Sequence, residues 1–333
     1  MTDAPIFIGG PDRCGKTLLA AILGSHSELA IPIVGSNLWT FFAGQYGDLS
    51  DDANLDRCLA ALARYKHARF LEPDLARVRR DLRAAERTYA RLFALIHEQF
   101  AERAGKPRWG DQTGLVERYA DQIFAAYPRA SMVHMLRDPR DRYEASLALW
   151  THGRGRAGAA AARWRYSARL ARRNAARYPD RYRVVRYEDL VRDPEGTVRG
   201  VTTFLGLSYE PTMLDMADAP TYRRKLAGGA KAPVGASLIT AEHIGDYRGR
   251  IPIREQKFLE LALGAEMRHL GYERDRVRLT RGDAVSFWGW TLPANAARML
   301  AWSALEAVQH RFPRLLGRRP PRAKVVGSTP AEP

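Results

Sequence analysis

Apolar and polar positions along this chain follow two periods, and the switches between them mark its elements. Residues 5–10, "PIFIGG", form a short apolar run that predicts a buried strand. In "KTLLAAILGSH" behind it, Leu18, Leu19, Ile22 and Leu23 have the spacing of a buried helix. Amphipathic helices are predicted over 51–65 and 73–103. In the second, Leu75, Val78, Leu82, Tyr89, Leu92, Phe93, Ile96 and Phe100 keep a helical face. "KPRWGDQTG" (106–114) breaks that pattern and reads as a loop, with a helix over 115–127. "ASMVHMLRDPRD" predicts a second parallel strand ending in a charged turn at Arg137-Asp138-Pro139. There Asp138 suits an N-cap and Pro139 the first turn of a helix carrying Arg140 to Trp150. "RYRVVRYEDL" predicts a third strand centred on Val184 and Val185, with a helix in "DPEGTVRGVTTFLGL". The stretch 221–250 is rich in glycine and cations and reads as irregular, and a last helix covers 253–270.

Strands alternating with helices imply an α/β fold with a central parallel sheet flanked by helices. We expect one domain over 1–275 with a helical insert at about 50–105, and an extension over 276–333. In the extension, "SFWGWTLPANAARMLAWSALEAVQHRF" is aromatic and apolar. Pro293, Asn295 and Arg298 interrupt it, so it is not a spanning helix. Two readings stay open: a helix packing its Trp face on the body, or an interfacial helix with a basic tail, giving peripheral membrane contact through 285–322. The terminus "VVGSTPAEP" reads as disordered.

Charge narrows the partners. Fifty-three Lys and Arg against 37 Asp and Glu leave a formal net charge of +16, which favours anionic partners. Most of the surplus is arginine dispersed through Ala-rich helical segments, and solvated surface is its plain reading. No zinc spacing and no basic stripe interleaved with aromatics is present, so specific nucleic-acid recognition is not expected. The two cysteines, Cys14 and Cys58, make no disulfide framework and fit a reducing cytoplasm. The N-terminus lacks a basic n-region and a long apolar stretch, so no signal peptide is expected.

The chemistry begins at Gly10–Thr17, "GPDRCGKT", which satisfies G-x-x-x-x-G-K-[ST] between a predicted strand and helix. Chance would supply this pattern in on the order of a few per thousand such sequences. A glycine loop at a helix N-terminus presents N–H groups and the positive end of the helix dipole to an anion. Lys16 adds a point charge and Arg13 a planar fork, so this is a phosphate site. An ATP-using enzyme also needs a magnesium-binding carboxylate at a buried strand end. Here one strand ends in Arg137 before Asp138, and the other in Arg186-Tyr187 before Glu188-Asp189. These ends suit anions, and no metal is expected. A kinase or NTPase using Mg-ATP, or a non-enzymatic anion-binding protein, remains the alternative.

Four segments in order over roughly 5–275 resemble the sulfotransferases that use 3′-phosphoadenosine-5′-phosphosulfate (PAPS), of the bacterial type. They are "GGPDRCGKTLLAAILGSHSELAIP", "HMLRDPRDRYEASLALW", "VVRYEDLVRDPEGTVRGVTTFLGLSYEPTML" and "ITAEHIGDYRGRI…EMRHLGYE". The resemblance implies a phosphate-loop fold related to nucleotide kinases. It also implies metal-free in-line sulfuryl transfer from PAPS to an acceptor hydroxyl, which we take to belong to a carbohydrate or glycolipid. It places Arg13 at the 5′-phosphate and bridging oxygen, and gives the loop residues Cys14, Gly15, Lys16, Thr17 and Leu18 to the 5′-phosphosulfate. Arg137 and Ser146 take the 3′-phosphate, and Tyr187 and Arg248 join the co-substrate site; the plainer role for Arg137 is a salt bridge.

The sequence departs from the family pattern at four places. Lys16 stands where the family usually has Thr or Ser. Ser146 lies nine residues after Arg137 rather than eight. Gln112, before Thr113, stands where relatives carry a lysine, and the glutamate that often follows the "LAIP" segment is absent from "IPIVGSNLW". We therefore expect Lys16 to supply the charge missing at Gln112. His26, Asp111 and Glu117 remain as general-base candidates. Asp111 is the first choice, with a structural role as its alternative, and His26 reads as structural.

Overall fold

The computed structural model describes residues 4–84, 86–147, 155–227 and 238–311. Five parallel strands form the sheet: β1 (Ile6–Gly9), β2 (Leu29–Ala30), β3 (Arg108–Gln112), β4 (Ser131–Leu136) and β5 (Tyr182–Arg186). Their order is β2-β3-β1-β4-β5, with Ile6 in register with both Gly110 and Ser131. Because all strands run the same way, the segments leaving β1, β3, β4 and β5 gather at one sheet edge. Ligands of open α/β sheets bind at that edge.

The two-residue period of the strands divides the core. Ile6, Ile8, Val133, Met135 and Val185 pack on one side with helix α1 (Lys16–Gly24) and the helices Tyr187–Arg192 and Pro194–Leu205. Phe7, Trp109, Met132 and Tyr182 pack on the other, against Leu55, Val78 and Phe93 of the helical insert. The insert is thus one wall of the sheet's own core.

Several predicted elements change. The helix expected over 73–103 is two helices, Leu75–Arg83 and Tyr89–Arg103. Thr88 caps the second, its hydroxyl accepting from the Arg91 N–H at 3.1 Å. The apolar period hid the break because Leu82 and Tyr89 are seven residues apart. The loop expected over 106–114 contains β3, and β2 was not anticipated. In β3 the only large apolar residue is Trp109, and Gly110 occupies a buried position where a Cβ would sit 2.8 Å from the Ile6 carbonyl oxygen. A strand built from glycine, acid and amide carries no hydrophobic alternation.

Asp138 does cap the helix α2 (Pro139–Leu147), accepting from the Arg140 N–H at 2.9 Å; residues 148–150 of the expected helix lie outside the described residues. A helix, Pro220–Leu226, occupies part of the stretch read as irregular, and 228–237 lie outside the description.

The extension turns back onto the body. Helix α3 (Arg156–Arg177) receives helix α4 (Leu292–Arg311) at a close crossing, where the Gly158 N–H donates to Asn295 Oδ1 at 2.7 Å. A Cβ on Gly158 would lie 1.9 Å from the Asn295 carbonyl oxygen, so the approach requires glycine. Phe287 and Met299 fill the seam beside Trp164 and Phe258, whereas Trp288 and Trp290 are exposed. Trp302 does pack on the body, against Tyr166 of α3, so the expected Trp face is split: one Trp turns inward and two turn outward. The tail read as disordered and the basic residues beyond 311 lie outside the described residues.

Candidate anion-binding site at the glycine loop

The chain leaves β1 through a turn that only glycine fits. Gly10 has φ 122°, and a Cβ there would sit 2.1 Å from the Met135 carbonyl oxygen. Gly15, with φ 90°, lies against the Tyr187 ring, where a Cβ would meet ring carbon at 2.7 Å. Arg13 also has positive φ, 63°, a strained setting for a residue with a Cβ. Gly15 brings no side chain to cap α1. The loop and the first turn of the nine-residue α1 thus form a backbone cradle beside Lys16, Thr17 and Leu18.

Buried polar groups hold the cradle from below. The Gly10 N–H donates to Glu117 Oε2 at 2.8 Å, and Glu117 Oε1 accepts from the Ser167 hydroxyl at 2.5 Å. Ser167 accepts in turn from His134 Nε2 at 2.8 Å, while His134 Nδ1 accepts from the Tyr182 hydroxyl at 2.5 Å. Burial pushes the His134 pKa down, which matches the neutral tautomer this chain of bonds needs. Lys16 is folded into the loop, its Nζ donating to the Pro11 carbonyl at 2.6 Å, 3.9 Å from Cys14 Sγ. The Cys14 thiol also donates to Pro11 O, and burial raises its pKa, so it is no ready nucleophile.

Asp12 clamps the loop to α2 and α3. Its Oδ1 accepts from Arg142 Nη2 at 2.6 Å and from Arg163 Nη1 at 3.0 Å, and its carbonyl accepts from Arg142 Nε. Burial opposes its ionisation, but the two guanidinium groups outweigh burial and hold the carboxyl well below its ordinary 3.8. A folded pKa below the unfolded value adds stability that is complete above the ordinary value and is lost as pH falls below it. Asp12→Asn should therefore lower the unfolding midpoint at about pH 7. The gap to the parent protein should narrow below about pH 4, as unfolding curves across that range would record.

The ends of β4 and β5 bring a second cation to the loop. The Arg137 guanidinium lies 4.5 Å above the Tyr187 ring, and its Nη2 donates to the His243 carbonyl at 2.7 Å. Its Nη1 reaches the Arg13 carbonyl at 3.5 Å, and its buried Nε has no hydrogen-bond partner. No carboxylate among the described residues lies within 4 Å of it, so the plainer salt-bridge role is not found. Arg13 extends over α2, its Nε donating to the Ala145 carbonyl at 2.9 Å. The next residue, Ser146, is buried with its hydroxyl donating to Tyr143 O at 2.7 Å. It faces a cavity of about 350 Å³ lined by Arg142, Arg156, Arg163 and Arg298 and walled by Trp302.

Arg13, Cys14, Gly15, Lys16, Thr17 and Leu18 thus gather with Arg137 and Tyr187, and Ser146 borders them through Arg13. Arg248 has other partners, on the segment whose His243 carbonyl holds Arg137. It lies over the Tyr247 ring at 4.8 Å, and its Nη2 is 3.7 Å from Asp275.

The surroundings of the three base candidates favour structural roles. Asp111 sits on β3 with both oxygens committed: Oδ1 accepts from the Ser36 N–H at 3.0 Å, and Oδ2 from the Ser36 and Thr113 hydroxyls at 2.5 and 3.0 Å. His97 Nε2 is 3.7 Å away. Burial raises the Asp111 pKa, but His97 and the Ser36 bonds more than offset that and hold it low. A fully enclosed, stabilised carboxylate is a poor proton acceptor, so the structural alternative fits Asp111 better. Glu117 is spent beneath Gly10. His26 accepts from the Glu28 N–H at 3.0 Å and has Nε2 2.9 Å from the Ser208 carbonyl. Its structural reading fits.

Sequence reasoning also missed Asp141, whose oxygens accept from the N–H groups of Gly245 and Tyr247 at 2.8 and 3.0 Å. Those bonds seat the segment from which His243 holds Arg137. The charge density of "RDPRDR" was the only signal for it.

Comparison with family profiles identifies one family. The sequence profile described as the sulfotransferase family matches residues 5–211, more than half of the chain. Among solved structures, the sulfotransferase domain of the olefin synthase of Synechococcus PCC 7002 is 20% identical. The match covers 81% of this chain and 96% of that one, with a TM-score of 0.55, a likeness of fold. A sulfotransferase domain from the curacin biosynthetic pathway is 17% identical over 82% of this chain and 99% of its own, with a TM-score of 0.49. No curated protein matches the chain.

Proposed function

This chain belongs to the sulfotransferase family, and from that premise we propose that it moves a sulfuryl group from PAPS to an acceptor hydroxyl. The observation that carries the donor assignment is Arg137: a buried cation without a carboxylate partner, stacked on Tyr187 beside the glycine loop. A loop that cradles one anion and an arginine that awaits another fit a nucleotide charged at both its 5′ and 3′ positions. The orphaned Nε of Arg137 supports that fit, as do the Gly10 and Gly15 turns, where a Cβ would strike the Met135 carbonyl oxygen or the Tyr187 ring and force the loop open.

The co-substrate supplies the sulfuryl group and a bisphosphate leaving group. The chain binds and orients it. Backbone N–H groups of Gly15 to Leu18 take the 5′ end, with Arg13 and Lys16 supplying charge at the leaving oxygen, while Arg137 and Ser146 take the 3′-phosphate. With Asp111, Glu117 and His26 engaged in structure, stabilising the leaving group is the chain's main contribution, ahead of proton abstraction. The acceptor is proposed to be a carbohydrate or glycolipid hydroxyl. The aromatic extension, exposed at Trp288 and Trp290, supports a glycolipid.

The test is incubation with isotopically labelled PAPS and a panel of hydroxyl acceptors. A sulfate ester formed one-for-one with adenosine 3′,5′-bisphosphate is expected. Failure to sulfate any acceptor, together with hydrolysis of Mg-ATP, would replace sulfuryl transfer by the Mg-ATP alternative as this chain's activity.

A further inference from the structure

Helix α4 turns an unusually apolar face to solvent. Its inward face carries Met299 and Trp302 against the core, together with Asn295, bonded to Gly158, and the buried Glu306, paired with Arg118. Between 297 and 308 its exposed positions are Leu300, Leu305, Val308, alanines at 297, 301, 304 and 307, and Arg298. Arg298 is the one polar residue among them. Leu300 is 67% exposed, and just before the helix Trp288 and Trp290 are 63% and 57% exposed. Of the ten large hydrophobic residues exposed among the described residues, six lie between 285 and 308. Scattered exposed apolar side chains are ordinary; this concentration on α4 and the segment leading into it is not.

We propose that this face docks on an anionic lipid bilayer, with α4 lying in the plane of the interface and Trp288 and Trp290 at headgroup depth. Charge decides the occupant. On the supporting helix α3, Arg163, Arg169, Arg173 and Arg177 are paired with carboxylates. The surplus charge near this face therefore comes from Arg165, Arg172 and Arg298 and from the sequence between Arg311 and Lys324, which holds six cations and no acid. A second copy, with its own +16 charge, would meet this face with repulsion, whereas an anionic bilayer meets it with attraction. Among the described residues no helix is long and apolar enough to cross a membrane, so α4 lies on the surface. An acceptor embedded in that bilayer would then be brought to the protein in two dimensions.

Vesicle pelleting of the full chain tests this. The protein should pellet with phosphatidylcholine vesicles containing phosphatidylglycerol and stay in solution with phosphatidylcholine alone, and added salt should release it. Trp288→Ser/Trp290→Ser, and separately Leu300→Glu, should weaken binding by about tenfold or more. The unfolding midpoint and the affinity for adenosine 3′,5′-bisphosphate should stay unchanged, which keeps this test separate from the donor assignment. Equal pelleting of the variants, or no preference for the anionic lipid, overturns the proposal. So does a dimer in light scattering that the Trp variant abolishes, which would make a second copy the occupant.

Discussion

Lys16→Ala is expected to lose about two to three orders of magnitude in turnover while binding adenosine 3′,5′-bisphosphate nearly as well as the parent protein. Lys16 is mostly buried and hydrogen-bonded within the loop to Pro11 O, so its charge is held at the loop by the fold. Gln112, at the position where relatives carry a lysine, donates through Nε2 to the Ile33 carbonyl at 2.7 Å and brings no charge. A charge needed only as the leaving phosphate gains electron density contributes to turnover more than to ground-state binding. Gln112→Lys in the Lys16→Ala background should then restore part of the lost rate. Normal turnover in Lys16→Ala would exclude this role. An equal loss of turnover and bisphosphate affinity would reassign Lys16 to uniform binding.

Arg137→Ala should have the largest effect on co-substrate choice. The parent protein is expected to bind adenosine 3′,5′-bisphosphate about one to two orders of magnitude more tightly than adenosine 5′-phosphate, the yield of charge-assisted hydrogen bonds to one phosphate. The variant should bind the two alike, and calorimetric titration of both nucleotides would measure the difference. Its fold should survive, because Arg137 holds neighbouring carbonyls and rests on Tyr187 without anchoring an ion pair. If the variant still preferred the bisphosphate by the same factor, the 3′-phosphate would have to bind elsewhere. The cavity faced by Ser146, with Arg142, Arg156, Arg163 and Arg298 on its walls, would be the place to look.

What could be read in advance was what is local in the chain. The strands β1, β4 and β5 show as runs of Ile, Val and Met, and the glycine loop carries its chemistry in eight consecutive residues. Arg137 was legible because a strand, a cation and a helix cap follow one another directly. β3 was not legible, because its buried positions hold glycine, an acid and an amide whose fit depends on partners elsewhere. That reading put Asp111 on an open loop and made it the first choice for a base, whereas Ser36, 75 residues away, encloses it. The supports of the loop are equally remote. Asp12 meets Arg163 across 151 residues, and Gly10 meets Glu117 across 107. The extension was half legible: its apolar content was plain, but which face it turns outward depends on Gly158 and Asn295.

As proposed, the glycine loop and Arg137 together hold a nucleotide bearing a 3′-phosphate. Thermal unfolding with added nucleotide tests it most directly, since a ligand that binds only the folded state raises the midpoint. Adenosine 3′,5′-bisphosphate should raise the midpoint without magnesium, and more than ATP does with or without the metal. Stabilisation by Mg-ATP alone, with no response to the bisphosphate, would contradict the account.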